Sequence, residues 1–157
     1  IMIKWKGQIT PLMDKINPVS SIDIPPTILK LAGSDVPKAM TGIDLRDTAA
    51  LKKRNTVFGA DHSHNIVSVD QRAANLESRY IVHGDWKLII HNHKNFPPPK
   101  YGKIRNGKKN NPEGKPELYN LIDDPHELNN LAAKHTDKVT TLTKKLDAWW
   151  DGSEPKK

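Results

Sequence analysis

The fold follows mainly from the segment Arg79-Tyr80-Ile81-Val82-His83-Gly84-Asp85-Trp86-Lys87-Leu88-Ile89-Ile90-His91. Both halves of it are rich in β-branched and aromatic residues, which favour strands. Gly84-Asp85 lies between the halves, and a two-residue connection that contains glycine is typical of a tight hairpin. This stretch therefore predicts two antiparallel strands joined by a compact turn.

Further elements are predicted on both sides of this hairpin. Residues 56–60 precede it as a short strand, and residues 117–121 return as a strand after it. Near the C-terminus, apolar residues recur at the spacing of one helical face, at Val139, Leu142, Leu146 and Trp149. We expect a helix of roughly four turns, capped by Thr136 or Asp137 and stopped by Gly152. The predicted fold class is α+β: a small antiparallel β-sheet packed against a C-terminal α-helix.

The first third of the chain has a different pattern. Ile1–Trp5 alternates like a half-buried strand, and residues 24–32 predict a short helix with Pro25 and Pro26 in its first turn and Gly33 as its C-terminal stop. Such a strand needs neighbours, and the chain offers few. We therefore interpret residues 1–50 as a strand–loop–helix remnant of a larger α/β domain, and residues 51–157 as a smaller α+β domain.

Composition excludes several classes of protein. The 157 residues carry 25 Lys+Arg and 18 Asp+Glu, a formal charge of +7, and no cysteine. A disulfide framework, a Cys-ligated zinc site, an iron–sulfur cluster and a thiol nucleophile are excluded. No apolar run approaches the ~20 residues of a membrane span, so we expect no membrane partner. The chain opens like a strand entered part-way, which suggests a fragment.

Two blocks of sequence resemble the sulfatases, the alkaline-phosphatase-like sulfuric ester hydrolases. Residues 18–33 match the family's V-S-x-x-D-x-x-P-T-x-L-x-L-A-G, followed by Gly42-Ile43-Asp44-Leu45. Gly84-Asp85-Trp86-Lys87-Leu88-Ile89 and residues 117–132 resemble G-D-W/Y-K-L-I and E-L-Y-D-L-x-x-D-P-x-E-x-x-N-L-A. The order of the blocks and the closing helix agree with the C-terminal region of a sulfatase, so the resemblance covers nearly the whole chain.

The resemblance implies a specific parent enzyme. Its catalytic groups, a formylglycine made from Cys or Ser and a calcium ion, would lie in an N-terminal catalytic domain of the same polypeptide. Ser68-Val69-Asp70-Gln71-Arg72 has the Ser and Arg spacing of the formylglycine motif, but Asp70 stands where Pro or Ala is required. We therefore expect no nucleophile, calcium site or cofactor in this chain, a sulfated carbohydrate as substrate, and a periplasmic or secreted location.

The quoted blocks also have a structural interpretation. Asp124-Pro125 predicts a turn in which Asp and Asn side chains bond backbone amides. Four leucines are expected to tuck under the sheet: Leu118, Leu121, Leu128 and Leu131. Lys87 is expected to hold its ammonium in water. We interpret these motifs as structural rather than catalytic.

Histidines are the candidate site residues. The resemblance to one branch of carbohydrate sulfatases indicates that His64, then Asn65 and His62, contact the substrate in the parent enzyme; solvated loop residues are the alternative. His62 with His64, and His91 with His93, could also each place two imidazoles on one side of an extended segment, as in some zinc sites, but no third ligand follows from the spacing.

Seven cations make residues 94–116 a basic inserted loop: Lys94, Lys100, Lys103, Arg105, Lys108, Lys109 and Lys115. It is solubilising surface, or it approaches a sulfated glycan, or it touches nucleic acid; few aromatics accompany it, and we expect no nucleic-acid partner. The alternative to the sulfatase function is a free-standing basic module that binds polyanions, either glycan or nucleic acid.

Overall fold

The computed structural model describes residues 1–7, 9, 11, 13–14, 16–64, 66–92 and 114–154. The chain divides into two compact units, Ile1–Val57 and Phe58–Lys157. We refer to them as unit 1 and unit 2. The basic loop predicted at residues 94–116 lies almost wholly outside the described residues, as does Asn65.

Helix α1 of unit 1 spans Ile24–Leu31 and follows a 3-10 turn at Ser21–Asp23. Prolines occupy its first positions, where a backbone N–H would have no partner within the helix. Ala32 is the C-cap, and Gly33 follows it with φ +73°, a left-handed conformation that favours glycine. The backbone N–H of Ser34 then donates to the carbonyl of Leu29 at 2.9 Å. The predicted helix and its stop are confirmed.

Helix α2, Thr48–Lys53, is an element that the sequence analysis did not assign. Asp47 begins it, because its carboxylate accepts from the backbone N–H groups of Ala49 at 3.0 Å and Ala50 at 2.9 Å. Leu51 is the buried residue of the helix. An Asp before a Thr-Ala-Ala-Leu run was the signal for it.

The predicted strand at Ile1–Trp5 is wrong for this structure. No residue of 1–7 is in a strand, and Met2 is 95% exposed. A strand is stabilised by a hydrogen-bonded neighbour, and none of the described strands pairs with this segment. The alternating residue pattern of this segment is therefore not sufficient, by itself, to predict a strand.

The sheet has four antiparallel strands in the order β1-β2-β3-β4, as the fold prediction required. The strands are β1 Thr56–His62, β2 Leu76–His83, β3 Trp86–His91 and β4 Glu117–Asn120. Strands β2 and β3 form the predicted hairpin, with His83 opposite Trp86 at its closed end. Strand β4 pairs with β3 so that Leu118 lies opposite Leu88.

Helix α3, Thr136–Trp149, packs across one face of this sheet. Leu142 and Leu146 from the helix and Ile81, Leu88 and Leu118 from the strands form one buried cluster. The helix predicted from the apolar spacing, and its packing on the sheet, are confirmed.

Both predicted ends of α3 are wrong. His135, rather than Thr136 or Asp137, is the N-cap, because its carbonyl already accepts from the N–H of Val139 at 3.0 Å. The helix ends before Gly152, since Trp150 is extended and its carbonyl accepts from the guanidinium of Arg79.

The turn after β4 is structural, as predicted. The carboxylate of Asp124 accepts from the N–H groups of Leu128 at 3.0 Å and Asn129 at 2.7 Å. Asn130 accepts from the N–H groups of Leu118 at 3.1 Å and Ala132 at 2.9 Å. Leu128, however, is 55% exposed and does not lie under the sheet.

Lys87 also departs from the prediction. It lies on the sheet face that carries Tyr80 rather than in open water: its ammonium is 5.5 Å from the centre of the Tyr80 ring and donates to Glu127 at 2.8 Å. Glu127 is the one non-glycine residue of the described chain with a positive φ, +54°. The ion pair therefore holds an unusual turn against the sheet.

Candidate functional site

His62 ends β1 in an exposed position and is part of an aromatic and cationic group. Its ring is nearly parallel to the indole of Trp150, with the centroids 6.1 Å apart and the planes 16° apart. The guanidinium carbon of Arg72 lies 5.8 Å from the centre of the Trp150 ring. We call His62, Arg72 and Trp150 the Trp150 cluster. A cation and an imidazole beside an indole can bind an anionic sugar derivative.

Trp150 is held in place from two directions. Its indole Nε1 donates to the carbonyl of Ser153 at 2.7 Å, and its own carbonyl accepts from Arg79. Arg79 is 8% exposed and also donates to Asp147 at 2.9 Å. The buried guanidinium therefore orients the segment that follows α3, and with it the indole.

His64 is exposed in the loop between β1 and β2. This loop is anchored by the buried side chain of Asn75, whose Oδ1 accepts from the N–H groups of Val67 at 2.6 Å and Ser68 at 3.1 Å. The N–H of Ser63 donates to the carbonyl of Asn75 at 2.8 Å. Ser63 thus fixes the backbone between the two predicted substrate contacts. Their third member, Asn65, lies outside the described residues.

A cleft of about 500 Å³ opens beside this loop. One wall is formed by the 3-10 turn that precedes β2, with Gln71, and the other by the segment after α3, with Asp151 and Ser153. Leu76 and the buried Arg79 also line it. Its lining mixes apolar carbon with hydrogen-bonding groups, as ligand sites commonly do.

Two residues of the site were missed by the sequence analysis. Arg72 was considered only as part of a failed formylglycine motif. Trp149 was assigned to the core stripe and its neighbour Trp150 was not considered. In the structure Trp149 is 45% exposed and stacks on Phe58 with centroids 5.3 Å apart. The Trp149-Trp150 pair at the helix end was the signal available.

Metal binding finds no support in the described chain. Among those residues no three His, Cys, Asp or Glu side chains are grouped so that they could hold an ion. The zinc alternative rested on two histidine pairs. His91 instead lies 3.0 Å from a carboxylate oxygen of Glu117, and His93 is outside the described residues. The described residues therefore offer no such ligand group for the calcium ion that the resemblance implies for the parent enzyme.

The sequence matches a family model described as N-sulphoglucosamine sulphohydrolase, C-terminal, over residues 1–151. The chain belongs to this family. The expected identity as a sulfatase C-terminal region is confirmed. No curated protein matches the sequence.

Solved structures share the fold of this sulfatase region. A Bacteroides thetaiotaomicron protein described with the metabolism of multiple glycosaminoglycans gives a TM-score of 0.60 at 20% identity, with 94% of this chain and 29% of that one covered. A 2-O GAG sulfatase gives a TM-score of 0.52 at 21% identity, with 81% of this chain and 23% of that one covered.

A third match is a protein in complex with its substrate D-glucosamine-2-N,6-O-disulfate; it gives a TM-score of 0.50 at 22% identity, covering 83% and 23%. The sulfatase region spans about a quarter of each of these chains. Within its described residues, no helix has the length and apolar character needed to cross a membrane.

Proposed function

We propose that this chain is the C-terminal portion of a sulfatase that acts on a sulfated carbohydrate, where it supports the N-terminal catalytic domain of the same polypeptide and lines its substrate cleft. The observation that carries the proposal is the family match over residues 1–151. The proposed nature of the substrate is supported by the neighbouring structures described with glycosaminoglycans and a disulfated glucosamine.

The proposed substrate contacts are His62, His64 and Asn65, joined by Arg72 and Trp150. A guanidinium donates paired hydrogen bonds to the oxygens of an anionic group such as a sulfate ester. The Trp150 indole holds this cation at 5.8 Å and the His62 ring at 6.1 Å, so both groups are positioned before a ligand arrives. Pre-positioned groups lose less conformational freedom on binding.

The described residues bind and orient in this proposal, and they do not carry out hydrolysis. When bound in the catalytic domain, formylglycine and calcium would supply the nucleophile and the neutralising charge for the sulfate ester. The contribution of this chain is to fix the sugar relative to that centre. A loss of its contacts therefore weakens substrate binding more than it slows the chemical step.

The test uses the complete polypeptide encoded by the gene and the 157-residue chain alone. We expect a Cys/Ser-x-Pro/Ala-x-Arg motif upstream, sulfate release from a sulfated disaccharide by the complete protein, and none by the chain alone. The variant R72A should raise KM about tenfold, the lower end for loss of a charge-assisted hydrogen bond, with kcat nearly unchanged. Lys53→Ala, an exposed cation of α2, is the matched control.

Two outcomes contradict the proposal. One is turnover by the 157-residue chain alone, which would place catalysis within it. The other is a KM for R72A that equals that of the Lys53→Ala control. If the gene encodes no upstream catalytic domain and the chain binds sulfated glycans without hydrolysing them, the free-standing polyanion-binding module replaces the proposal.

A further inference from the structure

Basic side chains converge on Trp86 at the hairpin end of the sheet. The ammonium of Lys138 lies 4.3 Å from the centre of the indole ring, and the His135 ring meets that indole edge-on with centroids 5.3 Å apart. His83 is opposite Trp86 across the hairpin. We call the group formed by His83, Trp86, His135, Lys138 and Lys145 the Trp86 surface.

The ammonium groups of the two lysines have no carboxylate within salt-bridge distance among the described residues. Neither Lys138 nor Lys145 forms a salt bridge there, and the neighbouring acids Asp85 and Asp137 form none with them. Burial, followed by the charges of Lys145 and Lys138, lowers the pKa of His83. Both ammonium groups therefore lie close enough to His83 to act on the same imidazole.

The lysines are spaced for an extended ligand. They are seven residues apart on α3, close to two helical turns, so they share one side of the helix and are separated by about 10.5 Å along its axis. A chain that carries anionic groups at a similar interval can contact both ammonium groups at once.

The Trp86 surface is separate from the Trp150 cluster. His83 ends β2, whereas Asn75, which holds the loop after His62, immediately precedes the start of that strand. The eight residues of β2 extend over roughly 23 Å at about 3.3 Å per residue. A ligand at one end of the strand is therefore distinct from a sugar ring at the other.

We propose that the Trp86 surface is a second binding site, which holds a sulfated polysaccharide chain away from the substrate cleft. The proposal rests on the proposed function, since a sulfatase for such polymers meets this ligand as part of its substrate. Sulfate esters are permanently charged, so two separate sulfate groups of one polymer can each pair with one of the two ammonium groups. Holding the polymer here raises its concentration near the cleft.

Nucleic acid is the other polyanion to consider, and the geometry disfavours it. Single-stranded nucleic acids bind through bases that stack on exposed aromatic faces. Trp86 is half-buried and one face carries the Lys138 ammonium at 4.3 Å, so that face is closed to a base. A saccharide chain needs only the cations.

The experiment measures binding of a heparin dodecasaccharide to the 157-residue chain by calorimetry, and follows the Trp86 indole N–H by NMR. We expect the double variant K138A/K145A to weaken binding at least tenfold and to abolish the indole shift. The matched control is K52A/K53A, which removes two exposed lysines of α2 and the same net charge. Its affinity for the dodecasaccharide should be within twofold of that of the unmodified protein. Circular dichroism verifies that both variants are folded.

Further arms separate the possible ligands. Unsulfated heparosan of equal length should bind at least tenfold more weakly, and millimolar inorganic sulfate should not displace the dodecasaccharide. Raised salt should weaken binding, because exposed charges are screened. The proposal is overturned if K138A/K145A binds like its control, if binding occurs without an indole shift, or if duplex DNA of equal charge binds more tightly.

The complete enzyme distinguishes this proposal from the first. K138A/K145A should leave turnover of a sulfated disaccharide unchanged and raise KM for a long polymer. R72A should raise KM for both substrates, with kcat nearly unchanged, while leaving the dodecasaccharide shift of Trp86 intact. If only the second-site proposal is wrong, K138A/K145A will leave KM for the polymer unchanged while the complete enzyme still turns over both substrates. If the proposed function is wrong, the complete protein will turn over neither substrate.

Discussion

Replacing Arg54 by methionine measures how far unit 1 depends on one buried charge. Asp23 is fully buried, and its carboxylate accepts from both terminal nitrogens of Arg54, at 2.5 and 2.8 Å. It also accepts from the N–H groups of Ser20 at 2.8 Å and Ile43 at 2.9 Å. Removing the cation leaves a buried carboxylate without its ion partner.

The expected cost is about 3 kcal/mol in the free energy of unfolding of unit 1. Removing one member of a buried pair costs roughly 3–5 kcal/mol. The lower end applies, because the Arg54 side chain is 13% exposed and two backbone N–H groups still satisfy the carboxylate. The assay is hydrogen exchange at the Ile43 amide, which reports opening of unit 1 separately from unit 2.

The pH dependence of this effect has a definite sign. Burial raises the pKa of Asp23, but the bonds from Arg54, Ser20 and Ile43 outweigh it, so the pKa lies below its usual value. This charge therefore stabilises the fold above the unfolded-state pKa of about 3.9, and the contribution is lost as pH falls through the folded-state pKa. The loss caused by R54M should consequently shrink between pH 7 and pH 3.

The matched control is Arg46→Met, which breaks the more exposed pair of Arg46 and Asp44 in the same unit. A surface pair contributes about 0–1 kcal/mol, so this variant should be nearly neutral. Adding Asp23→Asn to R54M should restore part of the stability by removing the charge. The reasoning is refuted if R54M costs no more than Arg46→Met, or if its cost is the same at both pH values.

Three further predictions concern unit 2. Gly59→Ala should destabilise it by about 1–3 kcal/mol in urea unfolding, because the added Cβ would lie 2.2 Å from the Tyr80 ring; an unchanged midpoint contradicts this. Leu146→Ala should cost about 2–5 kcal/mol in the same assay, since Leu146 is fully buried under the sheet, and a loss below 1 kcal/mol would mean that the helix is not packed there. Lys145→Ala should raise the pKa of His83 in an NMR titration, because it removes one cause of the lowering. Since a lowered histidine pKa gives stability that is present above about pH 6.5 and lost below it, this variant should also lose less stability on acidification.

Local patterns predicted the elements whose partners are close in sequence. The β2–β3 hairpin closes at His83 and Trp86, across a turn of two residues. Helix α1 is limited by prolines at one end and by Gly33 at the other. In these cases a few neighbouring residues determine the backbone, so the sequence alone is sufficient.

Predictions failed where a distant group decides the outcome. Alternation at Ile1–Trp5 gives no information on whether a strand is available to pair with it. The ammonium of Lys87 donates a hydrogen bond to Glu127, which lies forty residues further along the chain, and is not held in open water. The end of α3 depends on Arg79, whose guanidinium donates a hydrogen bond to the carbonyl of Trp150. None of these partners is visible in a local pattern.

The same distinction explains why the family motifs were easier to interpret than the site. Asp23, Asp124 and Asn130 each bond several backbone or side-chain groups in a fixed geometry, so their residue type and spacing follow from the fold. Arg72 and Trp150 are 78 positions apart and meet only when α3 lies across the sheet. Motif residues therefore identify the scaffold, whereas the roles proposed for Arg72 and Trp150 follow only from the folded structure. The groups whose removal tests function, Arg72 and the two lysines Lys138 and Lys145, accordingly lie outside the family motifs.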